Sequence, residues 1–294
     1  MAIYKSRINP QSSAFADNRR DMLALVDGLH TLNSRGSAVS EKRRERFESR
    51  GQLLPRERLS NILDPGMPFF DIGNLAGYLQ DGQPEARSLP GGNVIVGIGF
   101  IAGTRCMLSV SDSGIQAGSL TEATAYRIFR AQEIALRQKL PFVHLVESAG
   151  ANLMQYTVGG CVKGGTFFAN LARLSAAGIP VVNILHGSST AGGAYMPGMS
   201  DYVVAVRDRA KAFLAGPPLL KAATGEIATD EELGGARMHA EVSGLVEYLA
   251  DDDADATRIG REIVARLHCN DRLEPARLRE AAPPARDPDE IAGI

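Results

Sequence analysis

Val181-Val182-Asn183-Ile184-Leu185-His186-Gly187-Ser188-Ser189-Thr190-Ala191-Gly192-Gly193-Ala194-Tyr195 is the stretch that decides the fold. It opens as a short apolar run suited to a buried strand and closes in small residues that lead into a helix. Val143-His144-Leu145-Val146-Glu147-Ser148-Ala149-Gly150-Ala151-Asn152 is built the same way. Small residues at such turns let the backbone approach a ligand, and the first N–H groups of a following helix have no partner inside it. Two such turns facing one point would form a two-donor oxyanion hole. The plainer alternative is a pair of tight strand-to-helix connections that pack helix on sheet.

Working outward, Asn93–Ile101 and Arg105–Val110 read as strands around the turn Ala102-Gly103-Thr104. Ser119–Lys139 reads as a helix, with Ala123, Ile128, Ala131, Ile134 and Ala135 along one side and Pro141 past its end. Phe142–Val146 is a buried strand, and Thr166–Ala177 is a helix closed by Gly178. Strands follow at Val181–Leu185 and Tyr202–Val206, with Lys211–Leu214 a short partner to the latter. A strand at Leu245–Tyr248 and a helix over Asp253–Leu267 complete the pattern. Strands alternating with helices predict an α/β fold whose ligand sites lie at the carboxyl ends of strands.

Ahead of this, residues 1–60 read as helical and polar, with Met22, Leu25, Val26 and Leu29 at helical spacing. The run Lys42-Arg43-Arg44-Glu45-Arg46-Phe47-Glu48-Ser49-Arg50 is either a solvated helix with salt-bridged faces or a landing site for a phosphate-bearing ligand. The end of the chain, from Glu274, has the Pro-, Ala- and charge-rich composition of a linker. The expected division is a helical extension over 1–65 packed on the core, a main domain over 66–272, and a linker-like tail over 273–294.

The 294 residues suffice for a large core, and 44% hydrophobic with 22% charged residues is ordinary for a globular enzyme. A net charge of −2 gives no field favouring nucleic acid or an anionic membrane. Met1-Ala2-Ile3-Tyr4-Lys5 lacks the apolar run of a signal peptide, and no run approaches the ~20 residues that cross a bilayer. Cys106, Cys161 and Cys269 have no metal-type spacing and suit a reduced, cytoplasmic protein. Gly97-Ile98-Gly99-Phe100-Ile101-Ala102-Gly103 misses the dinucleotide spacing, and neither Ser148 nor Ser189 stands in GxSxG. His30, His239 and His268 form no metal set. His144 and His186, on apolar strands, read as core residues rather than bases.

Ser148-Ala149-Gly150-Ala151-Asn152-Leu153, Arg173-Leu174-Ser175-Ala176-Ala177-Gly178-Ile179-Pro180 and Thr190-Ala191-Gly192-Gly193-Ala194-Tyr195-Met196-Pro197 resemble the β subunits of biotin-dependent acyl-CoA carboxylases. Arg50-Gly51-Gln52-Leu53-Leu54-Pro55-Arg56-Glu57-Arg58, Phe213 to Glu226, and Leu233-Gly234-Gly235-Ala236 with His239 resemble them too, closest to the methylcrotonyl-CoA and geranyl-CoA branch. The resemblance implies a crotonase-like (ClpP/crotonase) ββα spiral domain that binds acyl-CoA, in a homo-oligomer. It implies backbone oxyanion donors at Ala149, Gly150, Gly192 and Gly193. The substrate would meet Gly118, Ala151, Ala194 and Tyr195, and its nucleotide would meet Arg50, Arg56 and Arg58. No covalent cofactor or metal is implied: carboxybiotin would come from a partner protein, on a biotin carboxylase/carrier subunit. The resemblance implies that the biotin-side carboxyltransferase domain, expected to be missing from this chain, comes from another polypeptide or has been lost. Gln116-Ala117-Gly118-Ser119 stands where relatives read Lys-Gly-Gly-Thr, and Met154–Gly165 is altered. Two other functions stay open: a biotin-independent acyl-CoA decarboxylase or isomerase, and a non-catalytic CoA-binding or assembly subunit.

Overall fold

A computed structural model of the chain describes residues 8–80, 84–151, 157–269 and 287–294. The early residues 1–7, the segment 152–156 after the first Gly turn, and residues 270–286 of the linker-like tail lie outside the described residues. The chain divides into two compact units, Met1–Ser34 with Leu273–Ile294 and Arg35–Arg272. Residues 35–65, grouped by sequence with the N-terminal extension, thus cluster with the sheet-bearing unit.

Three helices come first: α1 (Ser13–Glu41), α2 (Arg44–Glu48) and α3 (Pro55–Ile62). On α1 the apolar positions Met22, Leu25 and Leu29 stay exposed. After α3 come β1 (Phe70–Asp71), β2 (Val94–Ile101), β3 (Thr104–Ser111), α4 (Glu122–Gln138), β4 (Phe142–Ser148), α5 (Val158–Ala176), β5 (Val181–Thr190) and α6 (Tyr195–Gly198). Then follow β6 (Tyr202–Val206), β7 (Lys211–Phe213), α7 (Pro217–Thr224), α8 (Asp230–Gly234), α9 (Ala236–Met238), β8 (Tyr248–Ala250) and α10 (Asp253–Arg266).

The eight strands form one sheet in the order β1-β2-β3-β4-β5-β6-β8, with β7 added on β5. β1, β2 and β3 pair antiparallel; the remaining pairs are parallel. Successive side chains of a strand point to opposite faces. Phe142 and Val146 of β4 with Val181 and Leu185 of β5 therefore meet Ile128 and Ala131 of α4 and Leu171 of α5 in one core. Val143, Leu145, Val182 and Ile184 meet Leu59 and Ile62 of α3 and Ile263 of α10 in a second core, on the other face.

Helix ends follow local chemistry. Thr121 caps α4 by accepting from the Thr124 N–H (3.3 Å), and Lys139 closes it in the left-handed region. Thr157 caps α5 and Asp252 caps α10 in the same way. Arg127, buried on α4, donates to the Ile72 (3.1 Å) and Gly91 (2.7 Å) carbonyls and pairs with Asp71 (2.8 Å), tying α4 to the first strands.

Four sequence expectations shift. α5 starts at Val158, not Thr166; β5 runs past Leu185 to Thr190; and β8 lies at 248–250 rather than 245–248. β7 pairs with β5, not with β6. The reason is strand length: β6 covers β5 only through Leu185, and the exposed backbone groups at Ser188–Thr190 take up β7 instead.

Candidate active site

The carboxyl ends of β4 and β5 sit side by side, with Ser148 opposite Ser189 after an irregularity past Val146. Three backbone turns converge there, and they are rich in left-handed residues: Gln116 (φ 48°), Ala117 (53°), Gly118 (67°), Gly150 (84°) and Ala191 (52°). For the non-glycines this region is costly, and such strain gathers where a site fixes its geometry. Crowding explains two of the glycines. A Cβ on Gly118 would lie 2.2 Å from the Glu147 carbonyl oxygen, and one on Gly150 would lie 2.6 Å from that of Thr190.

The expectation that Ala149 and Gly150 present free donors is not met. The Ala149 N–H donates to the Ala117 carbonyl (3.1 Å), and the Gly150 N–H to Ser148 Oγ (3.1 Å). Ser148 Oγ in turn donates to the Gly118 carbonyl (2.8 Å), and the Leu120 N–H to the Gly150 carbonyl (2.8 Å). The 116–118 turn thus folds back and consumes the first strand end. Gly118 and Ala151 belong to this latch: Gly118 is buried, and Ala151 bridges to Leu120.

The second turn, Ala191–Ala194, is a short 3₁₀ segment directly after β5. A 3₁₀ turn leaves its first N–H groups without a partner inside the turn, here those of Ala191 and Gly192. Gly193 is buried against Ser189 and Ser148. Ala194 is half-buried, and Tyr195 is 47% exposed with its ring 4.9 Å from that of Phe168.

In front of the strand ends opens a cleft of about 290 Å³. Ala117, Ser148, Ala149, Ser188 and Thr190 line one side, and Arg43, Arg46, Phe47 and Arg50 the other. Gln52 and Glu147 also line it. Arg44 turns away and pairs with Glu41, Glu48 and Glu57. The salt-bridged reading of the basic run therefore holds for Arg44. Arg43, Arg46 and Arg50 pair with no carboxylate among the described residues.

Of the three arginines expected at the nucleotide, only Arg50 lines the cleft. Arg56 is exposed on α3 outside it. Arg58 is 1% exposed and donates inward, to Glu147 (2.8 Å) and Asp253 (3.0 Å), so it is structural in this fold. Helical spacing carried the signal: Pro55, Arg58, Leu59 and Ile62 form the buried stripe of α3. Sequence offers Arg43 and Arg46 only as part of the basic run, and does not single out Gln52 and Asp253 at all.

Glu147, 14% exposed, accepts from Gln52 Nε2 (3.2 Å) as well as Arg58. Burial pushes its carboxyl up, but the Arg58 guanidinium outweighs this and holds it below the usual range. His186 donates Nδ1–H to Asp253 (3.0 Å) when neutral, and burial with the nearby Arg58 charge pushes its pKa down. His144 is pushed down to about 3 by burial alone. Neither histidine is placed to act as a base in the cleft. Among the described residues, no cluster of His, Cys, Asp and Glu could hold a metal ion, and no helix is long and apolar enough to cross a membrane.

Comparison with known proteins fits this geometry. Residues 46–294 match the carboxyl transferase domain model. The chain is 42% identical over 293 residues to the probable biotin-dependent acyl-coenzyme A carboxylase beta2 subunit of Mycobacterium tuberculosis, covering 99% of this chain and 53% of that one. It is 48% identical to the β subunit of P. aeruginosa geranyl-CoA carboxylase, with a TM-score of 0.90 over 99% of this chain and 53% of that one. The transcarboxylase 12S core, solved as a hexamer assembly with methylmalonyl-coenzyme A bound, matches at 29% identity and a TM-score of 0.75, over 83% of this chain and 47% of that one. The chain spans about half the length of these relatives. The crotonase-like α/β expectation is borne out, and the chain belongs to the carboxyl transferase domain family.

Proposed function

We propose that this chain forms the acyl-CoA side of a biotin-dependent carboxyltransferase acting on an enoyl thioester such as 3-methylcrotonyl-CoA or geranyl-CoA. One observation carries the reading: Arg43, Arg46 and Arg50, without a carboxylate partner among the described residues, rim the cleft that Ala117, Ser148 and Thr190 close at the strand ends. Ala191–Tyr195 follow Thr190 directly, though they do not line it. The guanidinium groups suit the phosphates of CoA, which they can grip in bidentate fashion. The Ala191 and Gly192 N–H groups suit the thioester oxygen, where negative charge builds as the enolate or dienolate forms. Ala194 and Tyr195 then flank the acyl group.

Among the described residues Glu147 is the one carboxylate on the cleft wall, and its ion pair keeps it from serving as a ready proton acceptor. Carboxybiotin, brought by a partner, would supply the carboxyl group and the proton acceptor. This chain's part is to bind the thioester, orient it and stabilise its oxyanion. The reading calls for a biotin-side carboxyltransferase domain, a biotin carboxylase/carrier subunit and a homo-oligomer as partners.

Calorimetry with CoA, 3-methylcrotonyl-CoA and geranyl-CoA tests the proposal. Binding of all three, with the thioesters tighter, is expected. Saturation at ~100 times Kd should raise stability by roughly 2.7 kcal/mol. A folded protein that binds none of them would refute it.

A further inference from the structure

Asp253 opens α10 with its side chain 1% exposed, and four donors from separate parts of the chain converge on it. Oδ2 accepts from the Leu53 N–H (2.8 Å) and Arg58 Nε (3.0 Å). Oδ1 accepts from His186 Nδ1 (3.0 Å) and Arg209 Nη2 (3.2 Å). Arg209 reaches onward: its Nη1 donates to the carbonyls of Gly51 (2.6 Å) and Arg50 (3.3 Å).

Residues 50–53, which end the basic rim of the cleft, are thus held through three bonds that all trace to one carboxylate. Gly51 turns the chain there with φ +61°. A buried ionic cluster is weak evidence for stability as such, because apolar packing of the same volume often serves as well. What it does supply is fixed direction: each of the four donors has a defined oxygen of Asp253 as its acceptor.

We propose that Asp253 is a positioning residue of the acyl-CoA cleft: through Leu53 and Arg209 it fixes the 50–53 segment, and so the way Arg46 and Arg50 face the phosphates. This rests on the reading of the cleft as the CoA site. Asp253 does not line the cleft.

The test uses Asp253→Asn and Arg209→Met in the full chain, with two readouts. The first is amide hydrogen exchange at Gly51, Gln52 and Leu53. The second is affinity for CoA beside affinity for pantetheine, which lacks the nucleotide phosphates. Exchange should quicken at least tenfold and CoA affinity should fall about tenfold, with pantetheine affinity unchanged. Arg209→Met, at the more exposed end of the cluster, gives the same split should Asp253→Asn fail to fold. Unchanged exchange and unchanged CoA affinity in a folded variant overturn the proposal. Equal losses for both ligands overturn it too, since a merely structural role predicts them. Wild-type protein that fails to bind CoA removes the reading of the cleft, and the exchange result alone then decides whether Asp253 clamps the segment.

Discussion

Replacing Arg58 with methionine, which keeps an unbranched apolar stem, removes the cation shared by Glu147 and Asp253. Breaking a buried ion pair from one side costs about 3–5 kcal/mol, because the other charge is left buried. Two features set the lower end here. Asp253 keeps Leu53, His186 and Arg209, and Arg58 itself carries a buried Nη2 with no acceptor among the described residues. The contact of the guanidinium over the Phe47 ring (5.8 Å) is lost as well. A destabilisation of about 3 kcal/mol follows, which at ~2–4 °C per kcal/mol lowers Tm by roughly 6–12 °C. The sign with pH is the sharper check. In the wild type both carboxyls are held below their ordinary values, so they stabilise the fold above the unfolded pKa near ~4 and lose this as pH falls through the folded values. Without Arg58, burial pushes Glu147 upward, and protonation then relieves the variant. Urea unfolding at pH 7.5 and pH 4.5 should show its deficit shrinking at the lower pH. A deficit that is the same at both pH values, or below about 1 kcal/mol at pH 7.5, would show that Arg58 does not govern these carboxylates.

Gly118→Ala should destabilise by about 2–4 kcal/mol, since its Cβ meets the Glu147 carbonyl and its φ is positive; denaturant melts measure this, and a loss under 1 kcal/mol would mean the latch yields. Arg46→Gln or Arg50→Gln should each weaken CoA binding roughly tenfold, about 1.4 kcal/mol, with a shallower salt dependence; pantetheine titrations serve as the control, and parallel losses there would speak against a phosphate contact. His144 and His186 both have lowered pKa values, so the unfolded chain binds more protons below its ordinary histidine pKa near ~6.5 and stability falls as pH drops from there. Imidazole resonances from these two that titrate between pH 6 and 7 in the folded protein would contradict that.

Much of the fold is legible because its signals are local. The 3.6-residue stripe of α4, the Thr121 cap and Pro141 define one element within a short window, and α10 is equally plain. Pairing is not local. Nothing in Lys211–Phe213 says that it joins β5 rather than β6, since the choice depends on how far β5 outruns its neighbour. The site divides the same way. The Gly-rich turn at 191–194 is visible in sequence. The loss of the Ala149 donor is not, because it depends on the Ala117 carbonyl some thirty residues away, and on left-handed backbone at Gln116 and Ala117 that their residue types do not announce. Arg58 was within reach: read on a helix, it shares a face with Leu59 and Ile62.

The sheet also forks. β6 and β8 are neighbours, with Val204 opposite Tyr248, yet the chain between them travels out to place β7 beside the far end of β5 and then comes back. That excursion, carrying α7, α8 and α9, leaves and re-enters the sheet at adjacent points. It pairs with β5 through three residues of β7, lends Ala212, Ala236 and Val246 to the core, and sends Arg209 to Asp253. A segment whose ends meet can be exchanged as a cassette, because its replacement asks nothing new of the strands it interrupts. For protein engineering, the outer part of this excursion, residues 214–229, is therefore the graft site of choice: it buries no side chain and Lys211 bridges Gly235 at its base, so Arg209, the core residues and the registers of β4, β5, β6 and β8 stay as they are.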